Sequence, residues 1–504
     1  MATNDIAAER RTLFGHPVGL YTLFFTEMWE RASYYGTRAL LVLFLVDTVA
    51  RGRGGLGMNI ADATAIYGIY TGCVYLMTLA GGWIADRLLG QQRSVWHGGI
   101  LIALGNYILA IPGGAALTYI GLTVVALGTG LLKPNISAIV GQLYPEGGAR
   151  RDAGFSIFYS GINLGALFGP LIAAFIGERY NWHYGFLVAA LGMTLGLVQY
   201  RLTLRFLGEH GKYPHPDTDP QRVARGKRRG WISVGVGLVI VALTGVLLHD
   251  GVLHFEMVSL ARSMSVIILV VAILFFAAVL VFGKLSTLEK KRVIVIFLLF
   301  IAAAAFWSGF EQAGSSLNIF AETYTNRAVG TFMIPAGWFQ SVEPLFVIVL
   351  SPIFGAFWVN LARRHLNPSI PGKFALGLIF LAISFLIMAG AADIVVHGSK
   401  ALPVWLVMCY LFQTFGELCL SPVGLSSVTK LAPPRYLSQM MGTWFMADAL
   451  GSVLAGLAAG RFDPKDVHEM PSLFMQVVYI TLGLGILFVI FSRPIRKHLI
   501  GDIE

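Results

Sequence analysis

Charge is what this chain has least of. Asp, Glu, Lys and Arg make up 13% of its 504 residues, about half of the ~25% usual for a soluble domain. With 56% hydrophobic residues, that scarcity excludes a soluble globular protein and leaves a polytopic membrane protein. Cysteine is nearly absent too. Cys73, Cys409 and Cys419 each lie in an apolar stretch, which excludes a loop disulfide framework and offers no CxxC or Cys/His metal spacing. They read as small buried hydrophobes. After the polar segment Met1 to His16, the first apolar stretch reads as too long and too charged to be a cleaved signal peptide.

What is present is a series of apolar runs, at about 18–46, 62–84, 95–114, 116–141, 154–177 and 184–207. After the hydrophilic segment Gly208 to Gly230, further runs follow at about 231–249, 260–283, 292–321, 337–361, 372–393, 402–428, 438–460 and 473–493. These are fourteen helices of bilayer-spanning length. If the amino terminus is inside, the cytoplasmic segments and helix ends hold 26 Lys/Arg and the external ones 8. The positive-inside rule therefore puts both termini in the cytoplasm. It also absorbs the net charge of +10, so no nucleic-acid partner is needed. The basic runs Arg225-Gly226-Lys227-Arg228-Arg229 and Lys290-Lys291-Arg292 bracket the seventh and eighth runs and divide the other twelve into six and six. The expected organisation is an all-α membrane protein of two six-helix bundles, residues 1–207 and 292–504. Residues 208–291 form the linker and an inserted, lipid-facing helix pair. Two such halves suggest a two-bundle transporter, although no direct repeat between them is visible.

The first run carries Glu27, Glu30, Arg31 and Arg38. Glu27, Arg31, Tyr34 and Arg38 fall on one helical stripe. A charge at a helix centre costs about 2.5–3.5 kcal/mol on insertion scales, so this stripe must face protein or water. Numbered without the inserted pair, span four holds Lys133, span seven Glu311, span eight Glu343, span ten Glu417 and span eleven Asp448. Spans one, four, seven and ten are the first and fourth helices of each half, the pattern that a central cavity requires. The buried set has three bases and six acids. Some acids must therefore be protonated or served by a cation when the site is empty, which points to coupling with protons.

Three further motifs stand out. Gly82-Trp83-Ile84-Ala85-Asp86-Arg87-Leu88-Leu89-Gly90-Gln91-Gln92-Arg93 lies between spans two and three and resembles the loop signature of the major facilitator superfamily. Gly161, Gly165 and Gly169 open span five with a small-xxx-small face, and Asn163 among them serves as either a packing amide or a substrate contact. Pro134, Pro344 and Pro422 interrupt spans four, eight and ten, where kinks serve gating or packing.

Glu27-x-x-Glu30-Arg31-x-x-Tyr34-Tyr35-Gly36, Leu132-Lys133-Pro134-Asn135, the Phe158 to Leu167 run and Gly416-Glu417-Leu418-Cys419-Leu420-Ser421-Pro422 together resemble the proton-coupled oligopeptide transporter family, of the bacterial di/tripeptide:proton symporter type. The resemblance covers the twelve core spans, and the extra helix pair is typical of bacterial members. It implies uptake of di- and tripeptides with protons by alternating access, through an inner membrane if the source is bacterial. No cofactor other than the coupling proton is implied. By the same resemblance, Arg31 and Lys133 hold the peptide carboxylate, and Tyr34, Tyr35 and Tyr75 hydrogen-bond the peptide. Glu417 and Asn163 receive its amino group, while Trp307 and Trp444 line side-chain pockets or simply pack. Glu27, Glu30, Arg31 and Glu311 serve proton coupling. Lys133 with Glu417, and Arg38 with Glu311, are salt bridges between halves that break as the cavity changes face.

Three departures bear on this expectation. Ala32 replaces the usual aromatic, Glu343 stands where an asparagine is common and is taken as substrate-binding, and Asp448 is acidic where a small polar residue is usual. Span two lacks a coupling histidine, with His97 and His183 at span ends, so the proton site is expected to be carboxylate-based. A nitrate or drug transporter on the same scaffold is the nearest rival. An intramembrane enzyme finds no His-Glu-x-x-His, Gly-x-Ser-x-Gly or paired-aspartate pattern. A channel is poorly served by compensating buried charges of both signs. The monomer is expected to suffice for function.

Overall fold

The computed structural model describes residues 11–146, 148–214, 256–462 and 467–500, with scattered positions between 224 and 243. The expected span at 231–249 and the basic run at 225–229 fall largely outside the described residues. The remaining apolar runs are helices, named here in chain order. They are α1 (Val18–Val46), α2 (Ile60–Ile84), α3 (Gln91–Leu109), α4 (Gly114–Gln142), α5 (Gly148–Arg179), α6 (Trp182–Thr203) and α7 (Met257–Phe282). Then come α8 (Thr287–Phe310), α9 (Ser316–Tyr324), α10 (Val342–Arg363), α11 (Ile370–Val396), α12 (Pro403–Leu431), α13 (Leu437–Ala459) and α14 (Met470–Ile495). Two short antiparallel ladders, Thr12–Leu13 with His16–Pro17 and Ala328–Val329 with Phe332–Met333, are turns in the connections. Eleven described spans are long and apolar enough to cross a membrane. α1 and α3 join them by length, although α1 holds its four charges and α3 opens on Gln91-Gln92-Arg93-Ser94.

Two expectations are corrected here. The run at 292–321 is not one helix: α8 ends at Phe310, a 3₁₀ turn covers Glu311–Gly314, and α9 resumes at Ser316. Tyr67 occupies the break, where a Cβ on Gly314 would run into its hydroxyl. Side chains satisfy the freed polar groups: Ser316 Oγ donates to Gln312 Oε1 (2.8 Å) and Gln312 Nε2 to the Ser308 carbonyl (3.2 Å). Such backbone is tolerated in a membrane span when protein buries it. Pro344 does not interrupt its span either. A 3₁₀ turn over Ala336–Ser341 precedes α10, so Pro344 stands in the first turn, where a missing N–H costs little. Among the described residues, the prolines inside helices are Pro134, Pro170, Pro352, Pro422 and Pro494.

The residues pack into two compact units, and α1, α2, α5, α6 and α7 each pass from one into the other. The first unit comprises residues 1–35, 76–169 and 186–260. Its apolar core joins Leu20 and Leu23 of α1 to Ile102 of α3, Leu132 and Ile136 of α4, Phe158 of α5 and Met193 and Tyr200 of α6. Since lipid is as apolar as these side chains, close backbone approach matters more here than exclusion from water. The glycine stripe of α5 supplies it. A Cβ at Gly165 or Gly169 would run into the carbonyl oxygens of Met28 and Ala32, and one at Gly161 would sit 2.9 Å from that of Phe24. α5 thus lies directly on the charged helix α1. At the end of α2, residues Ala85–Leu89 form a π turn, and Gly90 takes a positive φ of 79°. Asp86, Arg87 and Arg93 are exposed there, with the Arg87 guanidinium 5.5 Å from the Trp83 ring centroid.

The second unit comprises residues 36–75, 170–185 and 261–504. α8 packs on α13, and α11 packs on α12 and α14. α7 leans on α8 through Phe276, whose ring meets Phe297 and Phe300 at 5.1 and 6.2 Å. Its opposite face, with Ile267, Leu274 and Phe282, is exposed, as a lipid-facing helix requires. All three cysteines are free, with Cys409 and Cys419 buried and Cys73 half-buried.

Candidate functional site

Within the first unit, α1 places Glu27, Glu30, Arg31 and Tyr34 on neighbouring turns, and all four are buried. Arg31 Nε pairs with Glu30 Oε2 and lies 3.4 Å from Glu27 Oε1. Its guanidinium sits 4.9 Å from the Tyr34 ring centroid, and Tyr34 meets Tyr35 edge-on at 5.2 Å. One arginine between two carboxylates leaves a net negative charge, and Lys133 of α4 lies within electrostatic reach of Glu27. Asn163 of α5 is buried, and its Nδ2 donates to the Tyr159 carbonyl (3.0 Å), which holds the amide against its own helix. Asn106 of α3 ties in the same stretch of α1 by donating to Ser33 Oγ (3.2 Å).

Within the second unit, Arg38 Nη2 lies 3.3 Å from Glu311 Oε2, and Arg38 Nε donates to the Tyr67 hydroxyl (2.9 Å). That hydroxyl lies 3.1 Å from both the carbonyl and Oε2 of Glu311, to one of which it donates. All three residues are buried, so the ion pair is worth having only because these extra bonds accompany it. Glu343, in the first turn of α10, and Glu417, midway along α12, have their carboxyl groups in hydrogen-bond contact with each other. Tyr75 is half-buried on α2, and Asp448 is buried on α13. Trp307 and Trp444 are both wedged into helix packing. Trp307 lies against Gly451 and meets Phe310 at 5.1 Å, while Trp444 lies against Gly424 and meets Phe374 at 6.3 Å.

A second charged constellation in this unit escaped the reading of the sequence. Asp47 accepts from Trp182 Nε1 (2.7 Å), Arg51 Nη1 (3.2 Å) and Arg53 Nε (3.1 Å). Arg53 Nη1 donates to the Glu178 carbonyl (2.8 Å), and the Glu178 carboxylate lies 3.5 Å from Arg327 Nη1. Arg327 also pairs with Glu322, which lies 3.9 Å from Arg51. This closed ring balances Asp47, Glu178 and Glu322 against Arg51, Arg53 and Arg327. Glu178 further accepts from the backbone N–H groups of Ala336 and Gly337 (2.7 and 2.8 Å), fixing the turn that leads to Glu343. These residues stand at span ends, where charges are ordinary, so the sequence carries no signal that singles them out. Tyr67 was missed for a related reason: as an uncharged aromatic in an apolar span, it attracts no notice until Arg38 and Glu311 are found on either side of it.

Comparison with known proteins bears directly on this arrangement. Residues 92–473 match the model of the POT family. The chain is 40% identical to the peptide transporter YePEPT of Yersinia enterocolitica subsp. palearctica serotype O:3 (strain YE-P4), over 99% of this chain and 98% of that one. It is 39% identical to a di-/tripeptide transporter of Lactococcus lactis subsp. cremoris, over 98% of each. Its fold superposes with a TM-score of 0.90 on the crystal structure of a peptide transporter POT in complex with sulfate, 39% identical over 99% of both chains. The fold is thus the major facilitator type with fourteen transmembrane helices, as in the solved POT structures. The chain belongs to the POT family of membrane transporters.

Proposed function

We propose that this transporter is a symporter of di- and tripeptides with protons, working by alternating access, and that its site residues divide the task by charge. The observation that carries the reading is the pairing inside the spans. Arg31 is held between Glu27 and Glu30, Arg38 is held by Glu311 and Tyr67, and Glu343 meets Glu417. Bilayer-depth charges are too costly to be kept for packing alone.

In this reading Arg31 and Lys133 take the peptide carboxylate, with Tyr34, Tyr35 and Tyr75 hydrogen-bonding its backbone. Glu417, Glu343 and Asn163 take the amino group, and Trp307 and Trp444 border the side chains. A peptide carboxylate arriving at Arg31 competes with Glu27 and Glu30 for the same guanidinium, and a carboxylate that loses its cation gains affinity for a proton. That competition couples substrate to proton without further machinery. Arg38 with Glu311, and Lys133 with Glu417, act as salt bridges that form and break as access alternates. The chain-order halves 1–207 and 292–504 are the moving bodies, the inserted pair is peripheral, the monomer suffices, and both termini lie in the cytoplasm of a bacterial inner membrane.

The test is uptake of labelled di-alanine into proteoliposomes with an imposed inward-acid gradient. Accumulation that follows the gradient supports the assignment. A well-folded protein that takes up nitrate or a drug-like solute but no peptide overturns it.

A further inference from the structure

Resting on the peptide reading above, we propose that Glu343 and Glu417 share one proton in the empty transporter and exchange it for the ammonium group of the substrate. An ionised carboxylate only accepts hydrogen bonds, so two carboxyls in hydrogen-bond contact hold a proton between them. The nearest guanidinium cannot replace it, because Arg38 is engaged by Glu311 and the Tyr67 hydroxyl. Facing the pair are Arg38 from α1 and Glu311 from the turn after α8, and Tyr410 of α12 itself faces Glu343. Of the other helices on α12, α13 carries Asp448 and α11 carries Lys373, whose ammonium lies 4.7 Å from the Trp358 ring centroid.

The surroundings are built for a donor-rich ligand. Gln340, one turn before Glu343, is 6% exposed, and neither its amide oxygen nor its nitrogen has a partner. Gln413 and Ser421 lie one turn to either side of Glu417 on the same stripe of α12. Gln413 Oε1, Ser421 Oγ and Glu417 Oε2 are likewise buried without partners. Buried polar atoms left unmade cost about 1–3 kcal/mol each. A primary ammonium brings three N–H donors to such a set of acceptors.

The charge balance favours the exchange. The pair with its shared proton carries one negative charge. Two carboxylates with a bound ammonium also carry one, so the low-dielectric site sees no net change. The substrate keeps all its protons, and the displaced proton leaves to solution. Taken alone, this exchange weakens peptide binding as pH falls, by up to about tenfold per pH unit for its one proton, and net symport then requires Glu27, Glu30 and Glu311 to take up at least two protons per peptide. Glu343 is the residue that makes this possible: with a single carboxylate opposite the ammonium, no proton need leave.

Two measurements on the full-length protein test this. In infrared difference spectra of the peptide-free protein between acid and alkaline pH, the wild type shows a protonated-carboxyl stretch that Glu343→Gln and Glu417→Gln each abolish. A band unchanged in both variants overturns the pair, whether or not the protein binds peptide. In calorimetric titrations of di-alanine in buffers of different ionisation enthalpy, the net proton count per peptide differs by about one between wild type and Glu343→Gln, and Glu343→Asp restores the wild-type count. Equal counts in wild type and Glu343→Gln overturn the exchange. A wild type that shows the carboxyl band but binds no di-alanine overturns the peptide reading and the exchange that rests on it, and leaves the shared proton standing.

Discussion

At the scale of single residues, the buried charges are organised by what each one has for company. Arg31 has two carboxylates, and Glu27 is the farther of them, at 3.4 Å. Glu27→Gln should keep the fold, because the closer partner Glu30 remains. Peptide exchange across proteoliposomes should survive, while gradient-driven accumulation is lost. Loss of both would place Glu27 in binding and not in coupling. Tyr67 offers a sharper probe of the other cluster, since its hydroxyl touches both Arg38 and Glu311 beside their direct ion pair. Tyr67→Phe keeps the ring that fills the break after α8 and removes those contacts. The expected cost is about 1–3 kcal/mol, the range for leaving buried partners unsatisfied, read as a lowered thermal midpoint in detergent. An unchanged midpoint would mean that water replaces the hydroxyl.

At the scale of elements, the contact between α1 and α5 depends on glycine at defined positions. Gly165 lies directly against the α1 backbone, whereas Gly192 of α6 leaves 3.6 Å to the nearest atom of Trp29. Gly165→Ala should therefore cost about 1–3 kcal/mol or more, the range for overpacking. Gly192→Ala should be close to neutral, or slightly stabilising through its helix propensity. Equal effects in thermal unfolding would show that α5 can move away from α1 without penalty. Glu178 plays an element-level role of a different kind. By holding the N–H groups of Ala336 and Gly337, it anchors the 3₁₀ turn that sets the start of α10. Glu178→Ala should destabilise the protein and raise the KM for peptide through Glu343, while Glu178→Gln recovers part of the loss. A KM that does not move would confine Glu178 to stability.

At the scale of the whole molecule, orientation and substrate geometry can be tested together. With 26 Lys/Arg assigned to one side and 8 to the other, tags at either terminus should be digested by protease in inside-out vesicles and protected in right-side-out cells. A tag cleaved from outside would reverse the assignment. Peptides blocked at either the amino or the carboxyl terminus should be taken up markedly less well than free di-alanine, because cations and carboxylates each lose their counterpart. A blocked peptide transported like the free one would remove that terminus from recognition.

The sequence determined the membrane character, nearly every span to within a few residues, and the identity of the buried charges. Each of these follows from local facts: twenty or so apolar residues cross a bilayer whatever their neighbours, and a charge among them is costly wherever it ends up. The α1 span and the Glu27–Arg31 stripe were legible for that reason, and the α5 glycine stripe because its period matches the helix. Tertiary structure decided the meetings that neither helical spacing nor the family resemblance pointed to. The break at Glu311, the insertion of Tyr67, the ring from Asp47 to Arg327 and the meeting of Glu343 with Glu417 all join residues tens to hundreds of positions apart. No periodicity along the chain encodes such a meeting, because it depends on how helices are placed side by side, and a span remains apolar on average whether or not its helix is continuous.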